Sequence, residues 1–234
     1  MQPGPPERLT CPLCGGHKHI LTLMSGNTFG ATVWSDTMKD YPMLPSPSSV
    51  QRCPHCGGYF FYDEAERVTA DHDVPANKEE RALWQEADRN WFGELSFEET
   101  DEAFEALYGD TLPDVKKCEL LSLWLFSFND TFNGRGKHGR TPTEELLAKQ
   151  RKVLGILISM FPDNALFVCE LHRELGEFDE CLKVARGLSG LDNFAASVLR
   201  QIVAHAEAHD RRVFAISFSR DNLFTMWDEE VHLP

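Results

Sequence analysis

Two short cysteine motifs of the same type give this chain its clearest chemistry. Residues 11–16 read CPLCGG and residues 53–58 read CPHCGG, and we call them the first and second knuckles. A spacer of two residues lets both sulfurs of a pair face one ion, and the glycine that follows can adopt a positive φ that brings backbone N–H groups towards the thiolates. The two pairs together predict a metal site at Cys11, Cys14, Cys53 and Cys56.

The donor set favours a structural zinc ion, with iron as the alternative, because both metals accept four thiolates in a tetrahedron. A redox dithiol is disfavoured, since that motif is normally a single CxxC that opens a helix in a chain of alternating strands and helices. His17, His19 and His55 lie beside the knuckles and could act as substitute ligands. Four cysteines already complete the tetrahedron, so we do not expect a histidine ligand.

Strand-forming residues surround both knuckles. The segment between Cys14 and Cys53 holds 38 residues, which is long for a zinc ribbon and predicts secondary structure of its own. Alternating apolar residues and aromatic or β-branched side chains predict strands at 19–24, 31–34 and 58–62. We therefore expect residues 1–66 to form a small β zinc-ribbon module with a long insertion between its knuckles.

The remainder of the chain has a helical pattern. From residue 79 onwards the spacing of apolar residues changes from two to about three and a half. Ser96 with Glu99, and Thr141 with Glu144, match the capping box that begins a helix. The predicted helices cover 79–92, 97–108, 114–129, 143–161, 164–175, 178–189, 193–209 and a short one near 212–218.

Residues 165–193 resemble one tetratricopeptide repeat. The agreement lies in Leu171, Leu175, the inter-helix residues 176–180 and the small side chains of Cys169 and Cys181. The resemblance implies that these two cysteines lie where the paired helices approach most closely, buried and reduced. One repeat cannot bury its own faces, so flanking helices must stack on it, and 193–216 is interpreted as a degenerate second repeat.

The expected fold class is therefore α+β, with a small β zinc-ribbon module followed by an all-α array of tetratricopeptide-like helical hairpins. The expected domains are the ribbon over 1–66, a linker over 67–78 and the helical domain over 79–234.

A wider set of motifs is similar to a family of uncharacterised bacterial proteins. The set consists of SGNTFGATVWSD at 25–36, YPMLP at 41–45, the two knuckles and RELGEFDECL at 173–182. The resemblance is specific in the N-terminal third of the chain and weak elsewhere. It implies this architecture and no particular activity.

Composition and charge limit the possible functions. The chain has 42% hydrophobic and 26% charged residues, which excludes a wholly disordered protein. Its formal net charge is −14, and residues 63–132 contribute −13 of this with 6 basic and 19 acidic side chains. This imbalance is typical of a solvated acidic helical face and argues against a large phosphate-binding footprint on nucleic acid. No membrane-spanning run and no secretory signal are recognised, which predicts a cytoplasmic protein.

Two further groups of residues have types and spacing that could support chemistry. His205 and His209 share a helix face, but Ala206 stands where the zinc-protease motif needs glutamate, so no catalytic residue is predicted. The loop NGRGKHGR at 133–140 collects Arg135, Lys137 and Arg140 before a helix, where an anion or a partner could bind. The same loop could instead be a flexible connection, or a clamp on the acidic surface of 63–132 within the molecule or in a second copy.

The sequence favours a non-enzymatic adaptor, stabilised by structural zinc, whose helical domain binds another protein. Two alternatives come from other classes: a nucleic-acid-associated zinc ribbon, which a basic stripe on the ribbon would favour, and an enzyme of unrecognised class, which a deep pocket with converging ionisable groups would favour. The sequence names neither the partner nor the oligomeric state.

Overall fold

The computed structural model describes residues 2–4, 6–69, 92–133, 135 and 139–217. The chain divides into two compact units. The first unit comprises Met1–Ala31 and Asp40–Ser127, and the second comprises Thr32–Lys39 and Phe128–Pro234. The predicted linker 67–78 and the predicted helix 79–92 lie almost wholly outside the described residues, so the domain boundaries stay a prediction.

The N-terminal part consists of short strands, as predicted. Strand β2 pairs antiparallel with β3 on one side and with β9 on the other, and β7 pairs antiparallel with β8. Further two-stranded pairs are β1 with β4 and β5 with β6. The strands are β1 Gln2–Pro3, β2 Glu7–Thr10, β3 His17–Ile20, β4 Leu23–Ser25, β5 Thr32–Val33, β6 Lys39–Asp40, β7 Val50–Arg52, β8 Tyr59–Phe61 and β9 Glu66–Thr69.

The core of the strand region is small and includes two of the predicted ligands. Leu9 and Ile20 are fully buried because alternate residues of β2 and β3 point inward. Cys11, Cys53 and Phe60 pack in the same cluster. A core of this size buries little apolar surface, so other interactions must contribute to its stability.

Two helices follow the strand region, and the second of them continues past Ser127, the last residue of the first unit. Helix α1, Phe97–Leu107, begins with the predicted capping box, in which Ser96 and Glu99 bond to each other's backbone N–H groups. Helix α2, Asp114–Phe132, places Trp124 in the core against the ring of Phe104, at 6.2 Å between centroids. The Trp124 Nε1 donates to the Asp101 carboxylate at 2.7 Å, so the indole is buried with its polar atom satisfied.

The second unit contains helices α3 Glu144–Met160, α4 Ala165–Leu175, α5 Phe178–Gly187 and α6 Asn193–Glu207. All four agree with the predicted helices to within two residues. The predicted capping box at Thr141 is wrong, because the helix begins two residues later. Thr143 is the N-cap instead, and its hydroxyl accepts from the Leu146 N–H at 3.2 Å.

Helices α4 and α5 pack as a hairpin around two small side chains. The Sγ atoms of Cys169 and Cys181 lie 3.3 Å apart, and both residues are fully buried. Gly176 ends α4 in the left-handed conformation at φ 81°, which a side chain would strain. The close approach predicted for the two cysteines is confirmed, whereas likeness to a tetratricopeptide repeat stays a prediction.

The predicted short helix near 212–218 is wrong for the residues that the structure describes, which end at 217. The chain after α6 is extended, and Ala215 forms an antiparallel bridge with Trp34. Val213 and Ile216 are buried, and the Ile216 N–H donates to Val33 O at 2.8 Å. A strand partner at 33–35 thus determines this conformation, and the degenerate second repeat lacks its second helix.

A membrane-spanning element is not found within the described ranges: none of their helices combines the length and apolarity that crossing a bilayer requires.

Candidate metal centre

Each knuckle is the connection between two antiparallel strands. The first joins β2 to β3, and the second joins β7 to β8. In the first, the Cys11 N–H donates to Gly16 O at 2.8 Å and the Gly15 N–H donates to Cys11 O at 2.9 Å. The same two bonds recur in the second knuckle at 2.9 and 3.0 Å, so repeated sequence produces repeated geometry.

The first glycine of each pair is required by backbone conformation. Gly15 has φ 71° and Gly57 has φ 72°, in the left-handed region that glycine occupies without strain. These turns direct N–H groups at sulfur, as the sequence predicted. Gly16 N–H donates to Cys14 Sγ and His55 N–H donates to Cys53 Sγ, both at 3.4 Å.

The four sulfur atoms lie within 4.8 Å of one another. The Sγ atoms of Cys14 and Cys53 are 3.6 Å apart, and those of Cys11 and Cys56 are 4.0 Å apart. A tetrahedral zinc ion with Zn–S bonds of about 2.3 Å separates its sulfurs by roughly 3.8 Å. The four cysteines are therefore positioned for metal binding.

Each knuckle also packs against the other through its variable residue. A Cβ at Gly16 would lie 2.5 Å from the His55 ring, and a Cβ at Gly58 would lie 2.6 Å from a Leu13 methyl group. The His55 Nε2 also hydrogen-bonds to His17 O at 2.9 Å. The second glycine of each pair is thus required by space, because the side chain from the opposite knuckle occupies the position of a Cβ.

The environment of the sulfurs affects their protonation. Burial opposes ionisation of Cys53, but N–H groups of Cys56 and His55 and the neighbouring thiols lower its pKa to about 7. For Cys14 the Gly16 N–H lowers the pKa, while burial and hydrogen bonds with the other three thiols together raise it to about 12. Deprotonation of one thiol thus disfavours deprotonation of its neighbour, as expected for sulfurs arranged around a cation site.

No histidine joins the four cysteines. Within the residues that the structure describes, this cluster is the only group of cysteine, histidine and acidic side chains that could hold a metal ion. His55 packs across the knuckles as described, and His17 Nδ1 lies 3.5 Å from Thr10 Oγ1. His55 therefore packs across the two knuckles, and neither it nor His17 belongs to the cysteine cluster.

The basic loop is only partly described, because Lys137 lies outside the described residues. Arg135 is buried and forms ion pairs with Asp36 and Asp130. Arg140 is exposed and lies 5.6 Å from the centroid of the Phe132 ring. The described geometry directs Arg135 to acidic groups of its own unit. Binding of an anion or partner by the loop, and its clamping of the acidic surface of 63–132, stay predictions.

His205 and His209 serve packing in the described structure. The His205 ring stacks on Phe214 at 3.8 Å between centroids, and its Nδ1 lies 3.4 Å from the Asp210 carboxylate. The His209 ring stacks on Phe178 at 4.8 Å. The two imidazoles thus have separate aromatic partners, and they do not form a group that could hold a metal.

A buried charge cluster in the second unit was missed by the sequence analysis. It consists of Asp36, Asn129, Arg135, Glu170, Arg173 and Glu174. The Arg173 guanidinium donates to both Glu170 oxygens, at 2.7 and 2.5 Å, and also to the carbonyl of Asp210. The Asn129 amide donates to Asp36 at 2.8 Å and to Glu174 at 3.1 Å.

The carboxyl of Glu174 is the least compensated member of this cluster. It is fully buried, and its Oε1 has no hydrogen-bond partner in the described structure. Burial, together with repulsion from Glu170 and Asp36, raises its pKa well above the usual 4.5, although Arg173 and Asn129 oppose the shift. The cluster thus holds a carboxyl whose protonated form is favoured by folding.

Comparisons with protein-family models, with curated proteins and with solved structures found nothing that matches this chain.

Gly16→Ala is expected to weaken metal binding and to destabilise the metal-bound first unit by about 1–3 kcal/mol, because the new methyl group overlaps the His55 ring. Competition with a chromophoric chelator and thermal unfolding measure the two effects. Gly109→Ala is the control, since no atom lies within 4 Å of its Cβ position. In a Gly16→Ala/His55→Ala double variant, the changes in unfolding free energy caused by the two substitutions should be far from additive. Simple additivity would contradict the proposed packing.

Glu174→Gln is expected to stabilise the protein increasingly as the pH rises above about 4.5. The raised pKa means that folded Glu174 keeps a proton which the unfolded chain releases, so the wild type loses stability with rising pH and the glutamine variant does not. Denaturant unfolding at several pH values between 4 and 8 measures the difference.

Glu180→Gln provides a matched control on an exposed position. Lys183 lowers the pKa of Glu180 through a hydrogen bond, so its replacement should show the opposite and smaller dependence on pH. An unfolding free energy for Glu174→Gln that parallels the wild-type value at every pH would show that Glu174 is ionised in the folded protein.

Proposed function

We propose that Cys11, Cys14, Cys53 and Cys56 hold one structural Zn²⁺ ion and that the protein acts as a non-enzymatic adaptor that binds another protein. The observation that carries the metal proposal is the grouping of four cysteine sulfurs within 4.8 Å. Four protein ligands complete a tetrahedron and leave no position for a substrate, which is typical of structural rather than catalytic zinc.

The physical need for such an ion follows from the small core of the strand region. Two of the four ligands, Cys11 and Cys53, are themselves members of that core. Structural zinc contributes roughly 10–16 kcal/mol in small domains at neutral pH, which exceeds the whole stability of most domains. We therefore infer that the strands around the knuckles need the ion in order to fold.

Binding of a partner protein is supported by the surface of the insertion between the knuckles, in the first unit and not in the helical domain that the sequence favoured. Met24 and Phe29 expose 67% and 80% of their surface. Met43 and Leu44 are also exposed, and the Asn27 N–H donates to Met43 O at 3.3 Å, which brings the two apolar loops together. Large exposed apolar side chains in one region are typical of protein-binding surfaces.

The charges of the ribbon argue against nucleic acid as the partner. Its only cations in residues 1–62 are Arg8, Lys18, Lys39 and Arg52. Lys18 donates to Gln51 at 2.9 Å, and Arg52 pairs with Glu99 at 3.4 Å. Four thiolates around Zn²⁺ add about −2, so few cations remain available for phosphate contacts.

The purified protein is expected to contain one tightly held zinc ion per chain. Elemental analysis by mass spectrometry measures the stoichiometry and separates zinc from iron. Cys14→Ser and Cys56→Ser should each lower the metal content and unfold the strand region, while Cys118→Ser, on helix α2 and distant from the cluster in sequence, should keep it. Folded protein without metal, or full stability in both ligand variants, would overturn the zinc proposal.

No association with DNA or RNA is expected at about 150 mM salt, where the Debye length is about 8 Å and the acidic excess of 63–132 repels phosphate. Mobility-shift measurements at micromolar protein, with duplex and single-stranded probes, test this point. A shift that weakens steeply with salt would favour the nucleic-acid alternative over the adaptor.

A further inference from the structure

We infer that zinc binding at the knuckles is thermodynamically linked to the docking of residues 32–36 in the second unit. Loss of the metal therefore weakens the docking of this segment, although the segment contains none of the four cysteines. The inference rests on the proposed zinc site and concerns its regulation. It follows from the path of the chain. Residues 32–39 lie between Cys14 and Cys53 in sequence, yet they belong to the second unit.

Residues 33–35 are held in the second unit by backbone hydrogen bonds. The Ser35 N–H donates to Phe214 O at 2.9 Å, and the Ile216 N–H donates to Val33 O at 2.8 Å. The Ser35 hydroxyl accepts from the Phe214 N–H at 3.2 Å. Val33 packs on the helical core around Cys169 and Ile216. These contacts satisfy the N–H groups of Phe214 and Ile216 and the carbonyl of Phe214, in the segment that follows α6.

Asp36 forms the second anchor of the segment. It is fully buried, accepts from the Asn129 amide at 2.8 Å and pairs with Arg135. Thr37 follows in the left-handed conformation at φ 74°, which is uncommon for a residue other than glycine. A buried charge pair and a strained turn both persist only when surrounding contacts determine the position of the segment.

The linkage arises because both events restrict the same stretch of chain. A metal ion that holds Cys14 and Cys53 together closes a loop of 38 residues, and docking of 32–36 restricts the middle of that loop. When the ends are already held, docking loses less conformational entropy. When the middle of the loop is already docked, closing the loop around the metal loses less conformational entropy. The coupling must therefore be reciprocal: each event raises the equilibrium constant of the other by the same factor.

The experiment uses the full chain with zinc as the probe. Hydrogen exchange at the amides of Ser35, Phe214 and Ile216 reports docking directly, because each donates one of the bonds described above. Removal of zinc with a chelator is expected to speed exchange at these amides by about fivefold or more. In the opposite direction, Asp36→Ala is expected to weaken zinc affinity, measured by chelator competition, by a similar factor.

Two further variants make the result decisive. Asp40→Ala removes an exposed carboxylate of the same insertion and should leave zinc affinity unchanged. Ser35→Ala removes only the hydroxyl that contacts Phe214 and Arg173, and it replaces Asp36→Ala if that variant does not fold.

Zinc binding with unchanged exchange at the three amides, or with unchanged affinity in both anchor variants, would overturn the linkage and leave the zinc proposal intact. A chain that takes up no zinc would overturn both.

Discussion

Electrostatic repulsion among four sulfur atoms is the constraint on which the first unit depends. Sulfurs that lie 3.6 to 4.0 Å apart across the two knuckles cannot all ionise without a cation between them. Backbone N–H groups donate to the sulfurs of Cys14 and Cys53, and Gly15 and Gly57 supply the positive φ angles of the two knuckle turns. The strands, in turn, hold the knuckles in place, because each knuckle is the connection of one antiparallel pair.

In the second unit, a buried charge is compensated by other groups of the protein. Arg173 is fully buried, and it binds Glu170 in a bidentate manner and donates to carbonyls of 210 and 212. Its guanidinium also lies 5.1 Å from the centroid of the Phe214 ring, whose other partner is His205. A buried pair of this kind adds little net stability, but removing one partner leaves an uncompensated charge, so it fixes where the extended segment after α6 must lie.

Local patterns were sufficient to predict the cysteine cluster and the helices α1 to α6, with bounds that agree to within three residues. They failed where a residue's partner is distant in sequence. Nothing near Val33 or Ile216 indicates that the two are hydrogen-bonded, and the residues around Ile216 were therefore given a helix. Glu170, Arg173 and Glu174 follow Leu166 at helical spacing, on the stripe where apolar residues are expected. Their burial depends on polar partners that the spacing does not reveal: Glu170 and Arg173 pair with each other, and Glu174 accepts from the Asn129 amide.

Residues 32–39 of the insertion between the knuckles are therefore better understood as a structural part of the second unit than as a loop of the ribbon. Without residues 32–36, the N–H groups of Phe214 and Ile216 and the amide of Asn129 would lose partners that they have now. Each buried polar group left unpaired costs about 1–3 kcal/mol, which is a large fraction of the stability of a domain. A fragment that begins after the second knuckle lacks these partners. The unusual length of the segment between Cys14 and Cys53 thus has a physical reason, since the chain must leave the first unit, dock in the second and return before it reaches the second pair of cysteines.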